Sequence, residues 1–199
     1  MAAGQAERVR GARRVTNPGC HATGAIALLR PLTEAGLLAR DFAVSIGSVS
    51  GYSGGGKAMI EAYEAGRAPA FEHYALGLEH KHMAEICEYS GLTRRPIFLP
   101  SAGNFRQGML TSVPLSGLSG ADLREAFTRY YGQSEYVRVA PPSEGGRLEP
   151  EALNDTNDLE IHVFANDSRG QAVVMARFDN LGKGASGAAV QNLDLMLGR

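Results

Sequence analysis

The sequence predicts an α+β domain built on a mixed sheet. Strand and helix signals alternate irregularly, a late pair of apolar runs flanks a turn, and one helix carries a complete start and stop signal. The first helix opens at Cys20: Pro18 and Gly19 punctuate the chain, and the apolar run 25–29 follows until Pro31, which is expected to stop it. Ahead of it, residues 7–14 read as a polar, basic helix end. Residues 42–46 read as a buried strand entering a glycine-rich loop, and residues 57–65 as a helix. A short helix over 82–89 puts Met83, Ile86 and Cys87 on one face, which makes Cys87 a core residue. Residues 97–99 and 109–113 read as strands. The clearest helix spans 119–131: Ser119 and Asp122 have capping-box spacing, Leu123, Ala126, Phe127 and Tyr130 form its stripe, and Gly132 ends it. Residues 159–165 and 172–178 predict an antiparallel hairpin, and a helix over about 184–197 closes the chain.

At 199 residues and 44% hydrophobic, the chain can bury a real core as one domain. Its formal charge of −1, with no basic block beyond Arg8, Arg10, Arg13 and Arg14, offers nucleic acid nothing to grip. No apolar run approaches the ~20 residues of a membrane span, and the start lacks the continuous apolar segment of a signal peptide. Two cysteines argue against a disulfide framework and fit a reducing cytoplasm. The 25 glycines cluster at 51–56, 117–120, 145–146 and 182–187, as tight loops and close backbone approach require.

Cys20 is the candidate nucleophile. A thiol in the first turn of a helix faces unpaired N–H groups and the positive end of the macrodipole, which favour thiolate. Gly19, Ala22 and Gly24 leave room for approach. His80 and His82, with Glu85 three residues on, form the acid/base candidate. If both histidines end an extended segment they share a face, and Glu85 can return one turn later to orient an imidazole. A zinc site is the rival, but no other His or Cys sits at a complementary spacing, so no metal is expected. Gly51-Tyr52-Ser53-Gly54-Gly55-Gly56-Lys57-Ala58 nearly satisfies a phosphate-loop pattern, with Ala58 where a hydroxyl is needed. A nucleotide-binding protein using this loop therefore stays open, as does a plain turn.

Four blocks in order carry a family resemblance: Asn17-Pro18-Gly19-Cys20-x-Ala22-Thr23-Gly24, residues 50–57, residues 78–85 and residues 179–193. Together they resemble the shorter type of N-acetyl-γ-glutamyl-phosphate reductase, a relative of aspartate-semialdehyde dehydrogenase. His21 departs, since the family usually has an aromatic residue there. The resemblance implies a glyceraldehyde-3-phosphate-dehydrogenase-like catalytic domain whose C-terminal helix packs on a Rossmann domain. It also implies NADPH-dependent reduction of N-acetyl-γ-glutamyl phosphate to N-acetylglutamate semialdehyde through a Cys20 thioester, in cytoplasmic arginine biosynthesis, by a homo-oligomer (dimer or tetramer). A histidine of the 80–82 block serves as acid/base, His80 favoured and His82 second. By the same resemblance, Ser50, Gly51, Ser53 and Gly54 are expected to line the nicotinamide cleft, and Asn180 and Lys183 are candidates for contact with NADP(H). In the loop before the 109–113 strand, Asn104, Arg106 and Gln107 are candidates for the acyl-phosphate substrate, with Arg138 behind them.

A Rossmann unit needs roughly 100–150 residues, whereas nineteen precede Cys20. The expected division is therefore 1–19 as a remnant of the NADP-binding domain, 20–180 as the catalytic and dimerisation domain, and 181–199 as the returning helix. The alternatives are a reductase of carrier-bound aminoadipyl phosphate in lysine biosynthesis and a non-catalytic fragment.

Overall fold

The computed structural model describes residues 4–141 and 146–199, so Gly145 of the 145–146 pair lies outside it, as do residues 1–3. The helices are α1 (Gln5–Arg10), α2 (Cys20–Glu34), α3 (Lys57–Glu64), α4 (Met83–Tyr89), α5 (Gly120–Tyr131) and α6 (Gly187–Met196). The strands are β1 (Ser45–Gly51), β2 (Phe71–His73), β3 (Ile97–Gly103), β4 (Met109–Ser116), β5 (Val137–Val139), β6 (Leu159–Asn166) and β7 (Gln171–Phe178). They form one mixed sheet in the order β2-β3-β1-β4-β7-β6-β5. The β1–β3 and β5–β6 pairs are parallel and the rest antiparallel. This is the α+β architecture that the sequence predicts.

Helices α2, α4 and α5 cover one face of the sheet. Leu28, Leu29, Leu32, Ile86, Leu123 and Phe127 pack there with Ile46, Phe98, Met109, Val113, Val174 and Phe178. Each such side chain, fully buried, contributes about 1.5–3 kcal/mol of transfer free energy. The other face leaves Ile97 and Leu99 exposed.

Pro31 does not stop α2, which continues to Glu34. A proline inside a helix leaves the carbonyl four residues back without its N–H partner. Here that carbonyl, on Ala27, accepts from the Tyr131 hydroxyl at 2.9 Å, so the gap is filled from α5. The helix closes instead at Gly36, with φ of 70°. Strand β1 begins three residues later than the 42–46 reading and runs to Gly51, where the glycine loop starts. The cap of α5 is as expected, with Asp122 N–H donating to Ser119 Oγ at 3.1 Å.

Between β7 and α6, Gly182–Ser186 forms a π-helical turn. On α6 no residue is fully buried, and Val190, Leu193 and Leu197 make an exposed stripe.

Candidate active site

Gly19 is extended, with φ −67° and ψ 155°, and Cys20 is the first residue of α2. The turn is pinned from both sides. Gly19 N–H donates to Glu85 Oε2 at 2.7 Å, and its carbonyl accepts from Thr23 N–H at 2.9 Å. Two glycines close the space around the thiol. A Cβ on Gly19 would lie 2.0 Å from His82 Nε2, and one on Gly184, in the π-helical turn, 2.8 Å from Cys20 Cβ. The nucleophile therefore has an imidazole nitrogen against the residue before it and a bare backbone at its side.

Three histidines gather here. The rings of His80 and His82 lie 4.7 Å apart in a T-shaped pair, and His21 sits 5.6 and 5.7 Å from them. His80 and His82 do share a side, but through a turn rather than an extended segment, with Met83 N–H donating to the His80 carbonyl. His80 Nδ1 accepts from His82 N–H at 3.1 Å. A backbone N–H only donates, so this bond places the neutral His80 proton on Nε2. His82 is buried, and its Nδ1 has no partner among the described residues. Phe98 packs on His21 and His80, and Tyr74 lies 5.9 Å from His80. The loop from Tyr74 to His80 holds Ala75 and Leu78 at positive φ, which strains a non-glycine backbone beside the site.

Burial and crowding keep this cluster uncharged. Desolvation, then its histidine neighbours, then Lys81, lowers His21 to about 3. Burial, His80 and Lys81 lower His82 to about 4, and burial and Lys81 also lower His80. The expectation of a preformed Cys20 thiolate is corrected. Burial pushes the thiol up, and the N–H groups of His21 and Cys20 and the Lys81 charge oppose it without prevailing. Attack by Cys20 thus needs a base to take the proton.

The other expectations fare unevenly. Glu85 orients no imidazole; its carboxylate holds Gly19 N–H, because α4 sets it against the turn. Cys87 is half-buried against the core, as its helical face requires. Residues 51–53 cannot cradle a phosphate with their backbone, since Gly51, Tyr52 and Ser53 N–H donate to the carbonyls of Gly108, Phe105 and Arg106. Ser50 Oγ donates to the Gly51 carbonyl, and Gly54 lies against that hydroxyl. Asn180 is buried as a clamp, donating to Ser53 Oγ and accepting from Gly108 N–H. Lys183 is buried too: it donates to Gln191 Oε1 at 2.8 Å, lies over the Tyr136 ring, and is lowered by burial to about 8. Of the loop residues, Asn104 is exposed, Arg106 pairs with Glu64 at 3.7 Å, and Gln107 donates to Asp155 and Asp179. Arg138 is held by Asp158 and Glu160 at the β5 edge.

Residues 182–187 carry Gly-x-Gly-x-x-Gly spacing after a strand and before a helix, the position of a dinucleotide turn. Each glycine faces protein instead: Cβ atoms there would meet the Thr156 carbonyl at 2.0 Å, Cys20 at 2.8 Å and Asn157 at 2.6 Å. The preceding strand is antiparallel to both neighbours, so this is not a Rossmann crossover. The residues present do not fit a dinucleotide by themselves. Sequence reasoning missed Tyr74 and Ser48, which hydrogen-bond His21, and Thr111, which hydrogen-bonds Ser48; strand pairing rather than any local pattern brings them together. Among the described residues no group of three His, Cys, Asp or Glu side chains is arranged to hold a metal ion, and no helix is long and apolar enough to cross a membrane.

The semialdehyde dehydrogenase dimerisation domain matches residues 20–180. N-acetyl-gamma-glutamyl-phosphate reductases of Burkholderia cenocepacia and Burkholderia lata are 50% and 51% identical over the whole chain, which spans 67% of each. N-acetyl-gamma-glutamyl-phosphate reductase 2 of Pseudomonas putida is 50% identical over 98% of the chain and 66% of its own length. Among solved structures, aspartate semialdehyde dehydrogenase II of Vibrio cholerae superposes with a TM-score of 0.69 at 14% identity, covering 92% of this chain and 62% of that one. A probable aspartate-semialdehyde dehydrogenase of Pseudomonas aeruginosa gives 0.67 at 16%, covering 96% and 66%.

Proposed function

We propose that this chain, which belongs to the N-acetyl-gamma-glutamyl-phosphate reductases of the semialdehyde dehydrogenase family, carries the acyl-transfer half of their reaction in arginine biosynthesis. The observation that supports it is the contact of His82 Nε2 with Gly19, directly beside the Cys20 thiol at a helix start. Cys20 Sγ bonds to the acyl carbon of N-acetyl-γ-glutamyl phosphate as the bond to the phosphate oxygen breaks. The thiol proton passes to His82 Nε2, and the helix-start N–H groups of Cys20 and His21 face the developing charge. This exchanges the favoured order of the pair: His82 is the base, and His80 presents its Nε2–H as a donor. The product is a thioester on Cys20 and free phosphate.

The full reduction also needs hydride, which the family resemblance assigns to NADP(H). The exposed Val190, Leu193 and Leu197 stripe is a surface on which a cofactor domain would pack. The match to a dimerisation domain and the exposed Ile97 and Leu99 support a homo-oligomer. The test is phosphate release without cofactor. N-acetyl-γ-glutamyl phosphate should give one burst of phosphate per chain, lost in Cys20→Ser. A burst that survives Cys20→Ser would refute the assignment.

A further inference from the structure

Thr111, Ser48, His21 and Tyr74 form one hydrogen-bonded row that ends at the reaction centre. Thr111 Oγ1 lies 2.9 Å from Ser48 Oγ, Ser48 Oγ 2.8 Å from His21 Nδ1, and His21 Nε2 2.7 Å from the Tyr74 hydroxyl. Such a row shares its protons in two ways. If Tyr74 donates inward, the last proton falls on Thr111, which is fully buried and has no other side-chain partner among the described residues. A buried donor left unsatisfied costs about 1–3 kcal/mol. In the opposite direction Thr111 donates to Ser48, Ser48 to His21 Nδ1, and His21 Nε2–H to the Tyr74 oxygen. Every buried proton then has an acceptor. The free donor is the Tyr74 O–H, at the half-buried end of the row beside His80.

Tyr74 is held through His21, the residue next to Cys20, and shares no hydrogen bond with Cys20 itself. We propose that Tyr74 donates a hydrogen bond to the acyl oxygen of a substrate bonded to Cys20, and that His21, Ser48 and Thr111 orient it. This rests on the acyl-transfer reading. As Sγ bonds to the acyl carbon, the carbonyl π pair moves onto oxygen, where the Tyr74 O–H meets it. The pair then returns as phosphate leaves, and Tyr74 keeps its proton throughout. Burial, and then the Cys20 charge, hold that phenol well above its usual range, which suits a donor that does not ionise. His21, Ser48 and Thr111 are positioning residues, since they act through Tyr74.

Two probes on the same chain separate this role from a structural one. Acylation by p-nitrophenyl acetate builds an oxyanion, whereas alkylation by iodoacetamide at a saturated carbon builds none. Tyr74→Phe should slow Cys20 acylation by about 10–10²-fold and leave alkylation within about twofold. His21→Phe removes the N–H that fixes the Tyr74 oxygen, so it should slow acylation and not alkylation with Tyr74 intact. It also serves if Tyr74→Phe does not fold. Acylation unchanged in both variants, or acylation and alkylation slowed together, would overturn the proposal. A parent chain that alkylates at Cys20 but never acylates would overturn the acyl-transfer reading itself, and Tyr74's role with it.

Discussion

Gly19→Ala isolates the contact between the nucleophile's turn and its base. Gly19 has ordinary φ and ψ for alanine, so the backbone carries no strain. The whole effect is steric. The new methyl would lie 2.0 Å from His82 Nε2, 2.3 Å from Cδ2 and 2.4 Å from Cε1. Carbon contacts settle near 3.5 Å, so the ring must retreat by about 1.5 Å. His82 is only 7% exposed and is followed on α4 by buried Met83 and Ile86, so it retreats against packed core. Overpacking of this kind costs about 1–3 kcal/mol, which should show as a lower Tm without loss of the fold. Misplacing a catalytic group by about 1 Å costs ~10²-fold in rate. Stopped-flow acylation of Cys20 by p-nitrophenyl acetate, beside circular dichroism, measures both quantities. A folded Gly19→Ala variant that acylates within about twofold of the parent would refute the reasoning, because a base displaced this far cannot retain ~10²-fold of geometry.

Three further outcomes follow from the same contacts. Tyr131→Phe leaves the Ala27 carbonyl without a partner inside the proline-bearing helix, so chemical denaturation should show a loss of about 1–3 kcal/mol with Cys20 alkylation unchanged. Iodoacetamide labelling of Cys20 against pH should give a midpoint above the ~8.5 of a free cysteine, because burial raises the thiol; a midpoint below it would restore the preformed thiolate. His82 and His21 are held near 4 and 3 when folded, against about 6.5 unfolded, so the unfolded chain binds more protons between those values. Their contribution is complete above about pH 6.5 and is lost as pH falls, by roughly 2 kcal/mol per histidine between pH 7 and pH 5. A Tm that holds level across that window would contradict the buried neutral cluster.

Much of the fold was legible because its signals are local. The Ser119 cap, the stripe of α5, the β6–β7 hairpin and the start of α2 at Cys20 each lie within a few residues of sequence. The continuation of α2 past Pro31 was not legible, since the hydroxyl that fills the gap sits on Tyr131, 104 residues away. Likewise the site was half readable. Cys20 and the 80–82 histidines announce themselves by residue type and by the turn. Glu85 was chosen correctly for the wrong partner, because its target is a backbone N–H that no pattern displays. Asn180 and Lys183 look like ligand groups in sequence, but their partners, Ser53, Gly108 and Gln191, take them into the fold. Tyr74 reaches His21 only because β2 pairs with β3, and β3 with β1, so its role emerges from sheet order.

Peptide mapping by mass spectrometry, after the chain is mixed with N-acetyl-γ-glutamyl phosphate and quenched in acid, tests the central claim most directly. Acid preserves a thioester and stops further exchange, so the residue that accepted the acyl group is read from the fragment masses. One acyl group on the peptide bearing Cys20, absent in Cys20→Ser and nearly absent in His82→Asn, is the expected result. Acylation at Cys87 or at Lys183, or label on Cys20 undiminished by His82→Asn, would contradict the account.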